Sequence, residues 1–487
     1  MTKTIIAGRA TPEATSHQPN RLGKTGLGCS RLGFGCYRID FENPNHREAI
    51  EIALDRGVNL IDTSTNYTDG ESESAVGEVL ARLVENDRLQ REQVIVVSKI
   101  GYVQGQNFEY AWARDNEENP IPEMVRLTPG LWHCIHPEFL EHQLQLSLER
   151  LGLATLDVCL LHNPEYFLME AAERQADLEK SRQEFYDRVE RAFAYFEAQV
   201  KAGRIGSYGV SSNNLVMPVD HPESTQLEAF LEAAERAGGK DHHFGVIQLP
   251  LNLLEWEGVP AVLETARAAN LGVMVNRPLN AYGSGNLIRL ADFELDEEEE
   301  DLAAALAELE RQEERFRQEF LPNLAGPNVD QLFRWAPFLQ DAPNHLQGLD
   351  HWLTLEEIRI RPHLAAMLEA VEAAAHTGFL DQWLDWKKDY TDAFRGVSNA
   401  IEERATRLSH EHSQKVGQTL DPRIPEQRRH ETLSRKALWL AGSPAGVSVV
   451  LNGMRRRDYV EDSAAVLEWT AHPDPEKVLD ATSSVYQ

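Results

Sequence analysis

The chain has 487 residues, an apolar share of 42% and a formal net charge of −30. That charge argues against nucleic acid or an anionic membrane surface as a partner, because both are held through basic faces. Four cysteines (Cys29, Cys36, Cys134, Cys159) are too few for a disulfide framework, and no apolar run reaches the roughly 18 residues of a membrane span, so a cytoplasmic location is expected.

Residues 1–20 read as a loose N-terminal segment. RLGKTGLGCSRLGFGCYRI then reads as a short hairpin followed by a first buried strand. From there strand and helix patterns alternate. The helix NHREAIEIALDRG ends on a glycine and leads to the apolar strand VNLIDTS. SESAVGEVLARLVE leads to VIVVSKIG, and HPEFLEHQLQLSLERLG leads to LDVCLLHN. A helix carrying Phe185, Val189, Phe193, Phe196 and Val200 leads through KAGRIG to YGVSSN. LEAFLEAAERAG leads to GVIQLPLN, PAVLETARAANLG to GVMVNRPLNAYG, and RHETLSRKALWLAGSPAG to VSVVLNG, after which YVEDSAAVLEW closes the series.

These are about eight strand–helix units, and their strands are almost wholly apolar, as in a parallel sheet covered by helices. The expectation is an α/β fold, a (β/α)8 TIM barrel with a large, mainly helical insertion between strand seven and the last barrel helix. No Gly-rich G-x-G-x-x-G loop follows any strand, which argues against a Rossmann domain. The barrel is expected over 21–285, the insertion over 286–428, and the last strand, helix and C-terminal tail over 429–487. Residues 101–135 read as a long loop, and 164–182 as a stretched connection. The insertion opens on an acidic helix, and about half of the chain's negative excess falls between 291 and 430. Its tryptophans read as the core of a helical subdomain, or as a partner surface or a lid over the barrel mouth, and the insertion as a whole is the candidate segment for a protein partner or self-association.

Three strands end on ionisable residues: VNLID on Asp62, VIVVSK on Lys99 and LDVCLLH on His162. Tyr67 follows Asp62 on the next loop. In a barrel, groups at the C-terminal strand ends converge on one mouth. Taken singly, Asp62 reads as a strand-end cap, Lys99 as a solvated side chain and His162 as a core polar group; all four in barrel order point to chemistry. A free phenol titrates at about 10 and is a poor acid at neutrality. Lys99 beside it would lower that value, and Asp62 would hold Lys99 charged. Tyr67 would then be general acid in reduction and general base in oxidation. His162 would donate a hydrogen bond to the substrate oxygen. None of these side chains carries hydride, so a nicotinamide cofactor is implied.

The segments RLGFGCYR, IDTSTNYTDGESESAVGEVL, VVSKIG, SLERLGLATLDVCLLHNPE, KAGRIGSYGVSSN, IQLPLN and VVLNGMRRR resemble those of aldo-keto reductases. The resemblance implies the family's catalytic tetrad at Asp62, Tyr67, Lys99 and His162, and a cofactor extended across the barrel mouth. It implies cofactor contacts at Ser211 and Gln248 for the nicotinamide carboxamide, with Ser212 at a position where the family has Asn and Asn213 as its substitute. Where the family stacks an aromatic ring, this chain reads Asn276, Arg277, Pro278 and Leu279. Cys36 matches a small residue beside the cofactor. Tyr37, Tyr102 and Asn163 are the candidate substrate-pocket residues. Gly453 and Met454 precede Arg455, Arg456 and Arg457, a guanidinium cluster suited to the 2′-phosphate of NADP. Asp462 matches an acidic residue that meets the adenine amine. The cofactor expected is NADP(H), with NAD(H) the alternative.

No metal is expected: His133, Cys134, His136 and Glu138 lack a zinc spacing. The expected activity is an NADP(H)-dependent oxidoreductase interconverting an aldehyde or ketone and an alcohol. The alternative is a cofactor-binding redox sensor or interaction protein on the same scaffold, with the insertion as its interaction module.

Overall fold

The computed structural model describes residues 5–11, 20–283, 286–296, 300–324, 331–374 and 380–486. The chain forms two compact units. One comprises residues 1–279 and 427–484, the other 280–426 and 485–487.

The first unit is a closed barrel of eight parallel strands. In chain order these are β1 (Leu32–Gly35), β2 (Leu60–Asp62), β3 (Ile95–Ile100), β4 (Leu156–His162), β5 (Ile205–Ser211), β6 (Phe244–Pro250), β7 (Gly272–Asn276) and β8 (Val447–Asn452). Each strand pairs with its successor, and β8 pairs with β1. Their apolar runs are explained by burial on both faces: every residue of β3, β4 and β6 is buried. The hairpin Asn20–Arg21 with Gly28–Cys29 packs Leu22, Leu27 and Cys29 against Leu60, Ile95, Val158, Val246 and Val449 near the strand starts. Near the same end, Asp157 accepts bonds from Ala10 N (2.7 Å), Val96 N (2.7 Å) and the buried Arg91 guanidinium (2.7 Å). Those bonds tie the starts of β3 and β4 together, and their ends carry Lys99 and His162.

Register decides what shares a level at the mouth. Asp62 pairs with Val97, Lys99 with Leu160, His162 with Ser211, and Ser211 with Gln248. Gly209 sits where β5 shifts register against β6; a Cβ there would lie 1.8 Å from Val246 O, so only glycine fits.

Residues 101–135 depart from the expected loop. They hold a three-stranded antiparallel sheet (Tyr102–Val103, Val125–Thr128, Leu131–His133) and a helix, Gln106–Asn116. Strands of two to four residues carry no readable alternation, and their stabilising contacts are non-local. Trp132, for example, packs 4.6 Å from the Phe108 ring and 4.6 Å from the Arg126 guanidinium. The stretched connection after β4 holds the helix Tyr166–Glu173.

In the second unit the helices Leu302–Glu319 and Leu380–Leu420 contribute to one aromatic core. Trp383, Trp386, Tyr390, Phe394, Val397 and Ile401 recur at three- and four-residue spacing and form its stripe. Trp386 stacks on Trp383 (5.1 Å) and on Tyr390 (4.7 Å), and its indole N–H donates to Gln312 O at 2.9 Å. Trp352, Trp383 and Trp386 are thus core residues of this unit. Among the described residues no helix is long and apolar enough to cross a membrane.

Candidate active site

Lys99 is fully buried at the end of β3. Its ammonium donates to Asp62 Oδ2 at 2.8 Å and to Thr63 O at 2.8 Å. The other Asp62 oxygen accepts from Gln248 Nε2 at 3.0 Å. Burial pushes the Asp62 carboxyl above its usual range, against the pull of Lys99 and Gln248.

Tyr67 lies over this ion pair, with Lys99 Nζ 4.6 Å from its ring centroid. The His162 ring meets Tyr67 edge-on at 5.7 Å, and Tyr37, largely exposed, meets it edge-on at 5.3 Å. The turn that presents Tyr67 is strained. Thr68 and Asp69 have φ of 47° and 54°, and Gly70 follows at 90°. Thr68 Oγ1 donates to Ile39 O (2.8 Å) and Asp69 accepts from Gln106 N (3.0 Å), which holds the turn. At Gly70 a Cβ would fall 2.5 Å from the Arg150 guanidinium carbon.

The electrostatics of the phenol differ from the expectation that Lys99 lowers it. Tyr67 is held well above its ordinary value of 10, first by burial and then by the negative charge of Asp62. The physical reason is that Lys99 is already compensated by a carboxylate at 2.8 Å, so the phenol feels an ion pair more than a cation. His162 goes the other way. Burial, then the charge of Lys99, holds it well below 6.5, so its imidazole is neutral. His162 Nδ1 lies 3.0 Å from Ser64 Oγ. His133 Nε2 bonds to His162 O at 2.7 Å.

The structure brings the candidate carboxamide residues together on the β5–β7 side. Ser211 Oγ donates to Gln248 Oε1 (3.1 Å), and Asn276 Nδ2 donates to the same oxygen (3.3 Å). Asn276 Oδ1 is buried without a hydrogen-bond partner. Ser212 bonds Thr225 Oγ1 (2.9 Å) and caps Asn214 N (3.2 Å), so its hydroxyl serves the turn Asn213–Val216. Cys36 is buried as a neutral thiol, its pKa raised by burial. Arg277, at φ 53°, pairs with Glu255 at 3.1 Å. Pro278 and the buried Leu279 end the first part of the barrel unit. Asn163 Nδ2 donates to Tyr102 OH (2.7 Å), which donates to Tyr166 OH (3.1 Å), and the Tyr102 ring lies 4.7 Å from His162.

The arginine cluster is less available than its sequence implied. Beyond the exposed Gly453, Arg456 pairs with Asp458 (3.0 Å) and Arg457 with Glu48 (2.6 Å). Arg455 carries no ion pair among the described residues. Asp462 accepts from Thr432, Ser434 (2.6 Å) and Arg435 (2.9 Å), at the start of the helix Leu433–Ala441. Among the described residues no group of three or more His, Cys, Asp or Glu side chains is placed for a metal ion.

Sequence reasoning missed Glu165. It is buried, accepts from Asn213 N at 2.9 Å through one oxygen, and leaves the other without a partner. Burial pushes its carboxyl up to about 7. The only signal was a Glu three residues beyond a strand-ending His, in a stretch that reads as a surface turn.

A family model described as the aldo/keto reductase family matches residues 26–313, over half of the chain. The chain belongs to the aldo/keto reductase family. Among curated relatives, an NADH-specific methylglyoxal reductase of Escherichia coli is 31% identical over 150 residues, 29% of this chain and 40% of the relative. Aldo-keto reductase YhdN of Bacillus subtilis is 27% identical over 252 residues, 50% of this chain and 57% of the relative. The matches thus span 40% and 57% of those relatives' own length. The solved structure of aldo-keto reductase AKR11C1 from Bacillus halodurans (holo form) is similar in fold, with a TM-score of 0.51, 15% identity and 97% of each chain covered.

Proposed function

We propose that the protein is a nicotinamide-dependent oxidoreductase that reduces an aldehyde or ketone to an alcohol, or runs the reverse. The observation that carries this reading is the buried Lys99–Asp62 ion pair beneath the Tyr67 ring, with the neutral His162 alongside. The bound cofactor supplies hydride. Tyr67, protonated throughout the physiological range, gives its proton to the carbonyl oxygen as hydride reaches the carbon, and is reprotonated from solvent. Lys99, its ammonium 4.6 Å from the Tyr67 ring centroid, would stabilise the phenolate as it forms, and Asp62 keeps that ammonium in place. His162 orients the substrate oxygen. Tyr37 and the Tyr102–Asn163 pair flank the same mouth and suit an apolar or ring-bearing substrate.

The residues fit a carboxamide. A buried acceptor without a partner, Asn276 Oδ1, stands beside Ser211 and Gln248, and a carboxamide N–H would satisfy it. Asn213, Arg277 and the Glu165 carboxylate border the same side. NADP(H) is favoured through Arg455, which carries no ion pair among the described residues, with NAD(H) also accepted. Because Arg456 and Arg457 are paired, the preference should be modest.

Fluorescence titration with NADPH and NADH, followed by a panel of carbonyls, tests this reading. Binding with turnover supports it, and failure to bind either dinucleotide refutes it. The rival reading, a cofactor-state sensor acting through a partner, is favoured by the polar Asn276–Arg277 step where the family stacks a ring. Tight dinucleotide binding with no carbonyl turnover would favour that rival.

A further inference from the structure

His162 is useful to a carbonyl only if the nitrogen facing the substrate carries hydrogen, and what decides this lies behind the ring. Ser64 is fully buried, and its Oγ has three polar neighbours: Asn66 Oδ1 at 2.7 Å, His162 Nδ1 at 3.0 Å and Lys99 O at 3.1 Å. Asn66 Nδ2 in turn meets Gln104 Oε1 at 3.2 Å, and both Asn66 and Gln104 are half-buried. A hydroxyl has one hydrogen to give, and Lys99 O accepts only. We propose that Ser64, Asn66 and Gln104 form a hydrogen-bond relay that selects which ring nitrogen of His162 is protonated. The proposal rests on the oxidoreductase reading and assigns these three side chains a positioning role within it.

The relay has two self-consistent senses. In one, Asn66 Nδ2 donates to Gln104 and Ser64 donates to Asn66 Oδ1, so Ser64 Oγ accepts from His162 Nδ1–H. Nε2 is then a bare acceptor and repels a carbonyl oxygen. In the other, the two amides are turned by half a rotation. Gln104 donates to Asn66 Oδ1, Asn66 Nδ2 donates to Ser64 Oγ, and Ser64 donates its single hydrogen to His162 Nδ1. The ring hydrogen then sits on Nε2, which becomes the donor that a carbonyl needs. Heavy atoms hold their places in both senses, because amide oxygen and nitrogen are nearly isosteric. The ring exchanges a hydrogen on one nitrogen for one on the other through solvent, with no net change in charge. Lys99 O accepts from Thr65 N (3.1 Å) and Thr65 Oγ1 (3.2 Å) in both senses, so it does not decide between them. A bound carbonyl, an acceptor without hydrogen, pulls the relay into the second. His162 stays neutral in both, as burial and Lys99 require.

An acceptor-only side chain in the relay locks it in the inactive sense. Asn66→Asp removes every donor facing Ser64, so the hydroxyl donates to the carboxylate and Nδ1 keeps its hydrogen. Gln104→Glu, at the half-exposed end and tolerable to the fold, has the same effect two bonds further away. Expected are a fall of about tenfold or more in kcat/KM for carbonyl reduction with NADPH affinity unchanged, and nitrogen-15 spectra of the His162 ring (assigned by loss in His162→Gln) that report the Nδ1–H form. Adding Ser64→Ala to either variant releases Nδ1 and should recover most of the rate. The relay is overturned if, with a carbonyl bound beside the oxidised cofactor so that no turnover occurs, ring-nitrogen spectra of the wild-type chain and of both variants coincide, or if Ser64→Ala recovers nothing. A wild-type chain that reduces no carbonyl refutes the oxidoreductase reading, and the spectra still decide on the relay.

Discussion

Glu165→Gln is the substitution whose effect follows most directly from the site's electrostatics. The carboxyl is buried, has one oxygen without a partner, and is lifted from 4.5 to about 7. Ionising it in the folded chain therefore costs about 3 kcal/mol more than in the unfolded chain. Below its ordinary value both states are protonated and there is no penalty. Between 4.5 and about 7 the unfolded chain gives up the proton while the folded chain keeps it, so stability falls as pH rises. Above that window the loss is complete. Glutamine keeps the oxygen that accepts from Asn213 N but cannot ionise. Against this, its amide N–H2 takes the place of the unpartnered oxygen, which offsets about 1 kcal/mol. The variant should therefore be close to or slightly below wild type at about pH 5 and about 2 kcal/mol more stable at about pH 8. Urea unfolding of the full chain at both values, followed by a signal from the barrel unit, measures this. Equal losses in wild type and variant between the two pH values would show that the carboxyl is not held protonated.

Lys99→Met leaves Asp62 buried without its cation; it should destabilise the barrel by about 3–5 kcal/mol and abolish reduction, read by unfolding and by NADPH consumption. Thr68→Gly relieves a β-branched residue at φ 47° and should stabilise by about 1 kcal/mol, read as a raised Tm; a loss of stability would mean that the Thr68–Ile39 bond outweighs the strain. The rate of reduction should show no inflection near 6.5 or near 10, because His162 is neutral to well below the first value and Tyr67 keeps its proton well above the second. Inflection at either value, removed by changing that residue, would contradict the assignment.

The barrel was legible because its strands are apolar runs separated by amphipathic helices, a pattern that survives the insertion before β8. The four polar groups were legible for the same reason: an Asp, a Lys or a His that ends an apolar strand stands out. What stayed hidden depends on contacts across long sequence separations. The sheet within 101–135 is built from pieces too short for periodicity. Arg457 reads as a free cation until Glu48, 409 residues away, is placed beside it. The raised Tyr67 phenol required knowing that Asp62 neutralises Lys99 at 2.8 Å. Glu165 and Ser64 look like ordinary turn residues until their surroundings are seen to be closed to water.

The proton donor is the centre of the account, and Tyr67→Phe tests it most directly. The variant keeps the ring over Lys99 and removes only the hydroxyl. It should bind NADPH as the wild-type chain does, by fluorescence titration, while carbonyl reduction falls by about a thousandfold or more. A variant that binds NADPH equally and still reduces the same carbonyl at a comparable rate would contradict the assignment of Tyr67.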